Sequence, residues 1–74
     1  MIHEVKIKQE YAQAYFDGLK PWEILINDRN YKVGDIVRFY IIGHGGHYDR
    51  EITYLHLLDD GYCIMTLSGY EYIL

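Results

Sequence analysis

Polar and hydrophobic positions alternate along residues 2–8, and His3 lies in phase with the aliphatic residues of the apolar face. This period of two predicts a half-buried strand. Over residues 9–17 the apolar spacing becomes helical, and Gly18 follows where helices commonly end in a left-handed residue. The apolar helical positions are Tyr11, Ala14 and Tyr15. The chain is therefore predicted to begin with a strand and then a short helix.

Short extended segments separated by turn residues fill the rest of the chain. We predict strands at residues 22–26, 36–42, 50–58, 62–67 and 70–74, with a brief extended piece at 31–33. Asp60-Gly61 is a two-residue hairpin turn, and the glycine-rich residues 43–47 form a loop. Short strands at close spacing are typical of small barrels. The predicted fold is mainly β (α+β), a small closed or nearly closed barrel with one helix after the first strand.

Length and composition narrow the classes of function. The 74 residues allow one domain, residues 1–74, and carry a net charge of −4. No apolar run approaches the roughly 18 residues of a membrane span, and the N-terminus lacks the pattern of a signal peptide. A single cysteine, Cys63, cannot form an internal disulfide, which favours a cytoplasmic location. The acidic balance argues against binding of duplex DNA, which needs clustered cations.

One segment has the spacing of a known signature. Residues 18–25, GLKPWEIL, resemble the G-x-K-x-x-E-x-R signature of ASCH domains in the PUA-like superfamily, with Leu25 in place of the final arginine. Further similar segments follow in the family's order: residues 3–7, 10–11, 27–29, 33–35 and 48–52. The resemblance covers residues 2–55 and is to a small, uncharacterised bacterial and phage branch. It implies a PUA-like β-barrel that binds RNA or a nucleotide-like ligand.

The same resemblance implies a cleft beside the helix. Its lining residues would be Lys20, Glu23, Arg29, Tyr48 and Arg50. Lys20 would contact an anionic group, and Arg50 would bind a phosphate or carboxylate through paired hydrogen bonds. The alternative for each charged residue is a structural ion pair with a neighbouring acid. Because Leu25 replaces the arginine, one cation that relatives would point into this cleft is missing.

Histidines and tyrosines supply further candidates. His3 is a candidate ligand contact, with a hydrogen-bonded core residue as the alternative. His44 and His47 lack the further ligands that zinc requires, so we expect no metal and no cofactor. Their glycine loop would instead be a flexible lid over the cleft. Tyrosines near arginines could stack on bases, or could cover half-buried barrel faces, and these are Tyr31, Tyr40 and Tyr48.

Three functions remain open from the sequence. The favoured hypothesis is a cytoplasmic binding module that recognises a base or a short single strand of RNA. Some ASCH-like proteins of similar size hydrolyse acylated cytidine with a Lys, a Thr and a Glu, so catalysis by Lys20 with Glu23 is the alternative, although Glu23 stands at the threonine position. The third hypothesis is a phage or prophage interaction protein without a ligand, for example a homodimer with an apolar patch outside the cleft.

Overall fold

Five strands and one helix form the fold in the computed structural model, which describes residues 1–68. The elements are β1 (Ile2–Ile7), α1 (Gln9–Phe16), β2 (Trp22–Ile26), β3 (Ile36–Ile41), β4 (His47–Leu57) and β5 (Tyr62–Leu67). The sheet order is β1-β3-β4-β5-β2, with β1 and β3 parallel and the other neighbours antiparallel. The sheet curls into a half-barrel, so the predicted mainly-β, barrel-like fold with one helix after the first strand is confirmed.

The curl brings the two end strands of the sheet towards each other. Cavity-lining residues come from both β1 and β2, and a side chain that follows β2 donates a hydrogen bond to a carbonyl of β1. We call the gap between β1 and β2 the seam. In the described stretch 1–68, no helix has the length and apolar character that crossing a lipid bilayer requires.

The predicted start of β4 was wrong. β4 begins at His47, three residues earlier than predicted, because His47 pairs with Tyr40 across the β3–β4 hairpin. The glycine loop therefore occupies residues 42–46, and the backbone N–H of Ile41 donates to the carbonyl of Gly46 across it. Residues 31–33 do not form a strand, and Tyr31 is buried there as a core side chain. The predicted strand at residues 70–74 lies outside the described residues.

The core consists of the inward faces of the strands and one side of the helix. Its most buried large side chains include Tyr15, Phe39, Ile52 and Met65. The predicted apolar face of the helix was partly wrong, because Ala12 and Tyr15 are buried whereas Tyr11 is 42% exposed. The helix therefore contacts the core along a narrow stripe and leaves Tyr11 at the seam.

Tyr15 attaches the helix to the sheet. Its hydroxyl donates to the carbonyl oxygen of Ser68, just beyond β5. The same hydroxyl accepts a hydrogen bond from Arg50 Nε at 2.9 Å. Its ring lies nearly parallel to that of Tyr48, with the centroids 5.7 Å apart. One side chain thus joins α1 to β4 and to the end of β5.

His3 belongs to the core of the barrel. It is 5% exposed, and its Nε2 donates to Asp35 Oδ2 at 2.8 Å. Its ring meets Tyr31 edge-on, with centroids 4.7 Å apart. Asp35 also accepts the backbone N–H of Lys32. Because these contacts join β1 to the turn before β3, the geometry favours the structural alternative for His3.

Acid should weaken this contact. The hydrogen bond from His3 holds the pKa of Asp35 below its usual value of 3.8. Because the native pKa is depressed, the stabilisation is complete above the unfolded-state pKa and is lost as pH falls through the native pKa. We expect the free energy of unfolding, measured in urea between about pH 6 and about pH 3, to fall less steeply with acid in Asp35→Asn than in the unchanged protein.

The matched control is Asp59→Asn, because Asp59 is exposed in the β4–β5 turn. This variant should keep the acid dependence of the unchanged protein. An Asp35→Asn variant with an unaltered acid slope would contradict the assignment.

Candidate functional site

A cavity of about 580 Å³ lies in the seam. We call it the seam cavity, and it is lined by residues 6–8, Tyr11, Lys20, residues 22–25 and Ile42. Its walls are the C-terminal end of β1, the start of β2 and the first turn of α1. The cavity therefore lies where the half-barrel is open.

Lys20 is held inside this cavity by three neighbours. Its Nζ donates to Glu23 Oε1 at 3.1 Å. It also lies 4.1 Å from the ring centroid of Tyr11 and 5.2 Å from that of Trp22. Gly18, at φ 76°, ends the helix, and Pro21 keeps the chain extended into β2, which fixes the spacing of the lysine and the carboxylate. The carboxylate and the two rings together stabilise the ammonium ion.

Glu23 is the buried acid of the site. Strand alternation turns Glu23 and Leu25 inward and leaves Ile24 and Ile26 exposed, so Glu23 is only 3% exposed. Burial raises the pKa of Glu23, while the hydrogen bond from Lys20 lowers it in part. Within residues 1–68, Glu23 Oε2 is buried without a hydrogen-bond partner. A buried acceptor in this state is costly, and a ligand donor would satisfy it.

Tyr48 lies in the same interior. Its hydroxyl is the second buried polar atom that has no hydrogen-bond partner in the described part of the chain. Burial raises the pKa of Tyr48, and the negative charge of Glu23 raises it further. The described residues therefore contain two buried polar atoms without a hydrogen-bond partner, one on β2 and one on β4.

Arg50 lies over an aromatic cluster and does not line the seam cavity. Its guanidinium carbon is 5.4 Å from the ring centroids of Tyr15 and Tyr48 and 5.7 Å from that of Phe16. Nε donates to Tyr15, and Nη1 donates to the carbonyl of Asp49 at 2.7 Å. Arg50 thus stabilises the attachment of the helix.

Arg29 ties the two edges of the seam together. Its Nη1 donates to the carbonyl oxygen of Glu4 on β1, and its Nε lies 3.5 Å from Asp28 Oδ1. It lines a separate cavity of about 220 Å³ together with Lys32 and Asp35. The predicted single cleft is therefore not formed: Lys20 and Glu23 share the seam cavity, whereas Arg29, Tyr48 and Arg50 lie elsewhere.

The remaining sequence candidates also have defined places. Tyr31 and Tyr48 are buried, and Tyr40 donates to Glu4 Oε2 at 2.6 Å, so these three do not form an exposed stacking surface. Among residues 1–68 no group of three or more metal-ligating side chains is found, the two loop histidines included. Cys63 is fully buried between the sheet strands.

Sequence reasoning missed most residues of the seam cavity, including four with cationic or aromatic side chains. Lys6 stands on the polar face of β1 and Lys8 directly after that strand, and neither was a sequence candidate for the site. Tyr11 had been assigned to the core, and Trp22 had been considered only as a strand residue. All four residues lie beside the seam in the fold, and this position can be recognised only when the strand order is known.

An apolar surface begins at the edge of the seam cavity, which Ile24 also lines, and continues across β2 and β5. Ile24 and Ile26 on β2 pair with Ile64 and Tyr62 on β5, and all four project from the outer face of the sheet. Ile26 is 58% exposed and Tyr62 is 41% exposed. The sheet thus carries a patch of the kind that the interaction-protein hypothesis requires.

Comparison with known proteins gives a family but no activity. Residues 2–67 match the family described as Domain of unknown function (DUF3850). No curated protein matches the chain. The site must therefore be interpreted from its own geometry.

The burial of Glu23 gives a testable consequence for Lys20→Met, which removes the ammonium ion and keeps a chain of similar shape. Glu23 would then be buried as a charge without a cationic partner, so we expect a loss of about 3 kcal/mol in the free energy of unfolding near neutral pH. Because burial raises the native pKa of Glu23 above 4.5, this loss should shrink as pH falls through that pKa and the carboxyl becomes neutral. Urea unfolding at several pH values measures both effects.

Lys8→Met is the matched control, because Lys8 lines the same cavity and is exposed. It should cost little at any pH. Equal losses for the two lysines would contradict the assigned ion pair. The double variant Lys20→Met/Glu23→Gln should recover much of the loss, since no buried charge remains.

Proposed function

The chain belongs to the family described as Domain of unknown function (DUF3850), and we propose that it binds a nucleotide unit of single-stranded RNA, or a free nucleotide, in the seam cavity. The observation that carries the proposal is Glu23, which lines the seam cavity beside aromatic and cationic side chains and whose buried Oε2 has no hydrogen-bond partner within residues 1–68. The resemblance of residues 18–25 to the ASCH signature supports the same ligand class.

The aromatic walls suit a planar base. Tyr11 is 42% exposed and Trp22 is half-buried, so both rings have surface available in the cavity. Stacking of a base on an aromatic side chain contributes about 1–3 kcal/mol. Because every base has a π-face, this contact alone accepts any of them.

Glu23 would supply the polar recognition. Unstacked bases are recognised through hydrogen bonds to their edges, and Glu23 Oε2 is an acceptor for a base N–H. Lys20 already neutralises the carboxylate through Oε1, so the site does not repel an anionic ligand as an isolated acid would. A ligand that donates to Oε2 would complete the hydrogen bonding of the buried acid.

Lys6 and Lys8 would contact the phosphate. Both are exposed and line the mouth of the seam cavity. The net charge of −4 limits such contacts to a few, which suits a short strand or a single nucleotide better than a long phosphate-tracking groove. A cytoplasmic location belongs to the same proposal, because RNA and nucleotides are found there.

Binding is tested by titrating the protein with mononucleotides and with pooled short single-stranded RNAs at low salt, using calorimetry. Glu23→Gln should weaken binding roughly 10- to 100-fold, because a hydrogen bond to a charged group contributes about 1.5–3 kcal/mol. Trp22→Ala should weaken binding through the loss of stacking. Glu51→Gln is the matched control, since Glu51 is an exposed acid on β4 outside the cavity. A protein that binds none of these ligands would overturn the proposal.

One observation favours a second candidate, hydrolysis of an acylated nucleoside. Lys20 Nζ and Glu23 Oε1 lie 3.1 Å apart in a cavity of suitable size, and burial raises the pKa of Glu23, which makes its carboxylate a stronger base. Glu23 would take a proton from the attacking water and return it to the departing amine as the C–N bond breaks. Lys20, stabilised as an ammonium ion, would bind the carbonyl oxygen and would not itself attack.

This candidate predicts that the purified protein releases cytidine and the free acid from acylated cytidine. Chromatography measures both products. Lys20→Ala and Glu23→Gln should each abolish turnover, whereas Lys8→Ala should retain it. Turnover that persists in Lys20→Ala would exclude the mechanism, and a protein without turnover that still binds nucleotides would leave binding as the function.

A further inference from the structure

A second cavity, of about 330 Å³, lies along helix α1. We call it the helix cavity, and it is lined by helix residues 9, 12, 13 and 16 and by residues 41, 44 and 46–48. The helix residues form one stripe with spacing of three and four. Lys8 and Tyr11, which line the seam cavity, lie on a different side of the helix. The helix therefore rests on the core between two cavities.

A hydrogen bond between Gln9 and Ile42 joins the linings of the two cavities, and we call this contact the ridge. Gln9 Nε2 donates to the carbonyl oxygen of Ile42 at 3.0 Å. Gln9 lines the helix cavity and Ile42 lines the seam cavity. Lys8 and Ile41, their immediate neighbours in the chain, lie on the opposite sides of the same ridge, and consecutive Cα atoms are only about 3.8 Å apart. The two cavities are thus close enough for adjoining parts of one ligand.

The helix cavity has its own aromatic surface. Phe16 is 43% exposed and meets Tyr48 edge-on, with ring centroids 4.8 Å apart. His44 and His47 line the same cavity from the loop and from the start of β4. The Tyr48 hydroxyl is more than nine-tenths buried and, within residues 1–68, has no hydrogen-bond partner. The helix cavity thus offers an exposed aromatic ring, as the seam cavity does with Tyr11.

We propose that the helix cavity is a second base subsite and that the ligand is single-stranded RNA of at least two consecutive nucleotides. The inference rests on the proposed function, since it assigns the first base to the seam cavity. The two bases lie on the two sides of the Gln9–Ile42 ridge, splayed apart and stacked on protein rings. Lys8, exposed beside the ridge, contacts the phosphate that joins them.

Calorimetric titration with mononucleotides, dinucleotides and tetranucleotides of RNA at one low salt concentration tests the second subsite. A dinucleotide should bind roughly tenfold or more tightly than its component mononucleotides, because a second stacked base is added. A tetranucleotide should gain little further. Equal affinities for mononucleotide and dinucleotide would overturn the second subsite and leave the proposed function intact. No binding by any of these RNAs would instead overturn the proposed function.

Two variants test whether the higher affinity of the dinucleotide comes from the helix cavity. Phe16→Ala and His44→Ala should each reduce the advantage of the dinucleotide while leaving mononucleotide affinity unchanged, and both side chains are exposed enough for the fold to tolerate their loss. Trp22→Ala should weaken mononucleotide and dinucleotide alike. Leu19→Ala is the matched control, since Leu19 is 78% exposed and lines neither cavity. A dinucleotide advantage that survives both Phe16→Ala and His44→Ala would overturn the assignment.

Discussion

The parallel pairing of β1 with β3 determines where everything else can lie. Parallel neighbours cannot be joined by a hairpin, so the chain must travel back across the molecule before β3 begins. Here the connection contains both α1 and β2, and β2 adds to the far end of the sheet beside β5. The two strands that flank the helix in sequence therefore become the two ends of one curled sheet. The seam cavity follows from this arrangement, as does the position of the helix over the core.

Within that arrangement, the buried carboxylate of the candidate site lowers the stability of the fold. Position 23 points inward on β2, where a hydrophobic side chain would pack at no electrostatic cost, and yet it carries a carboxylate. Lys20 and the rings of Tyr11 and Trp22 offset part of the cost of burial. Replacement of a buried ion pair by hydrophobic residues is often neutral or stabilising. Local violations of this kind are typical of functional sites, which is why the proposed site is the seam cavity and not the surroundings of the arginines.

Local patterns predicted the elements well, because periodicity reports which way each side chain points. The inward position of His3, the helix ending at Gly18 and the nearness of Lys20 to Glu23 all depend on contacts within a few residues. Periodicity carries no information on which strand lies beside which. The seam cavity, formed by β1 and β2, was therefore invisible in the sequence.

Long side chains were the other source of error. Arg29 bonds to Glu4, which lies 25 residues away in the chain, and Arg50 bonds to Tyr15 across 35 residues. The resemblance placed both arginines in one cleft, but a flexible side chain can satisfy its charge in several directions. Tyr11 illustrates the same limit at shorter range. Its helical spacing predicted a core position, but its ring contacts the ammonium group of Lys20.

The open seam also has a consequence for the motions of the barrel. β1 is fastened by its ladder to β3 on one edge and, on the other, by the bond from Arg29 to Glu4. Such a strand can detach by local unfolding at a lower free energy than the central strands β3 and β4, which are paired on both edges. A molecule bound in the seam would then hold β1 and β2 together. Amide hydrogen exchange in β1 would slow on binding, while exchange in the centre of the sheet would hardly change.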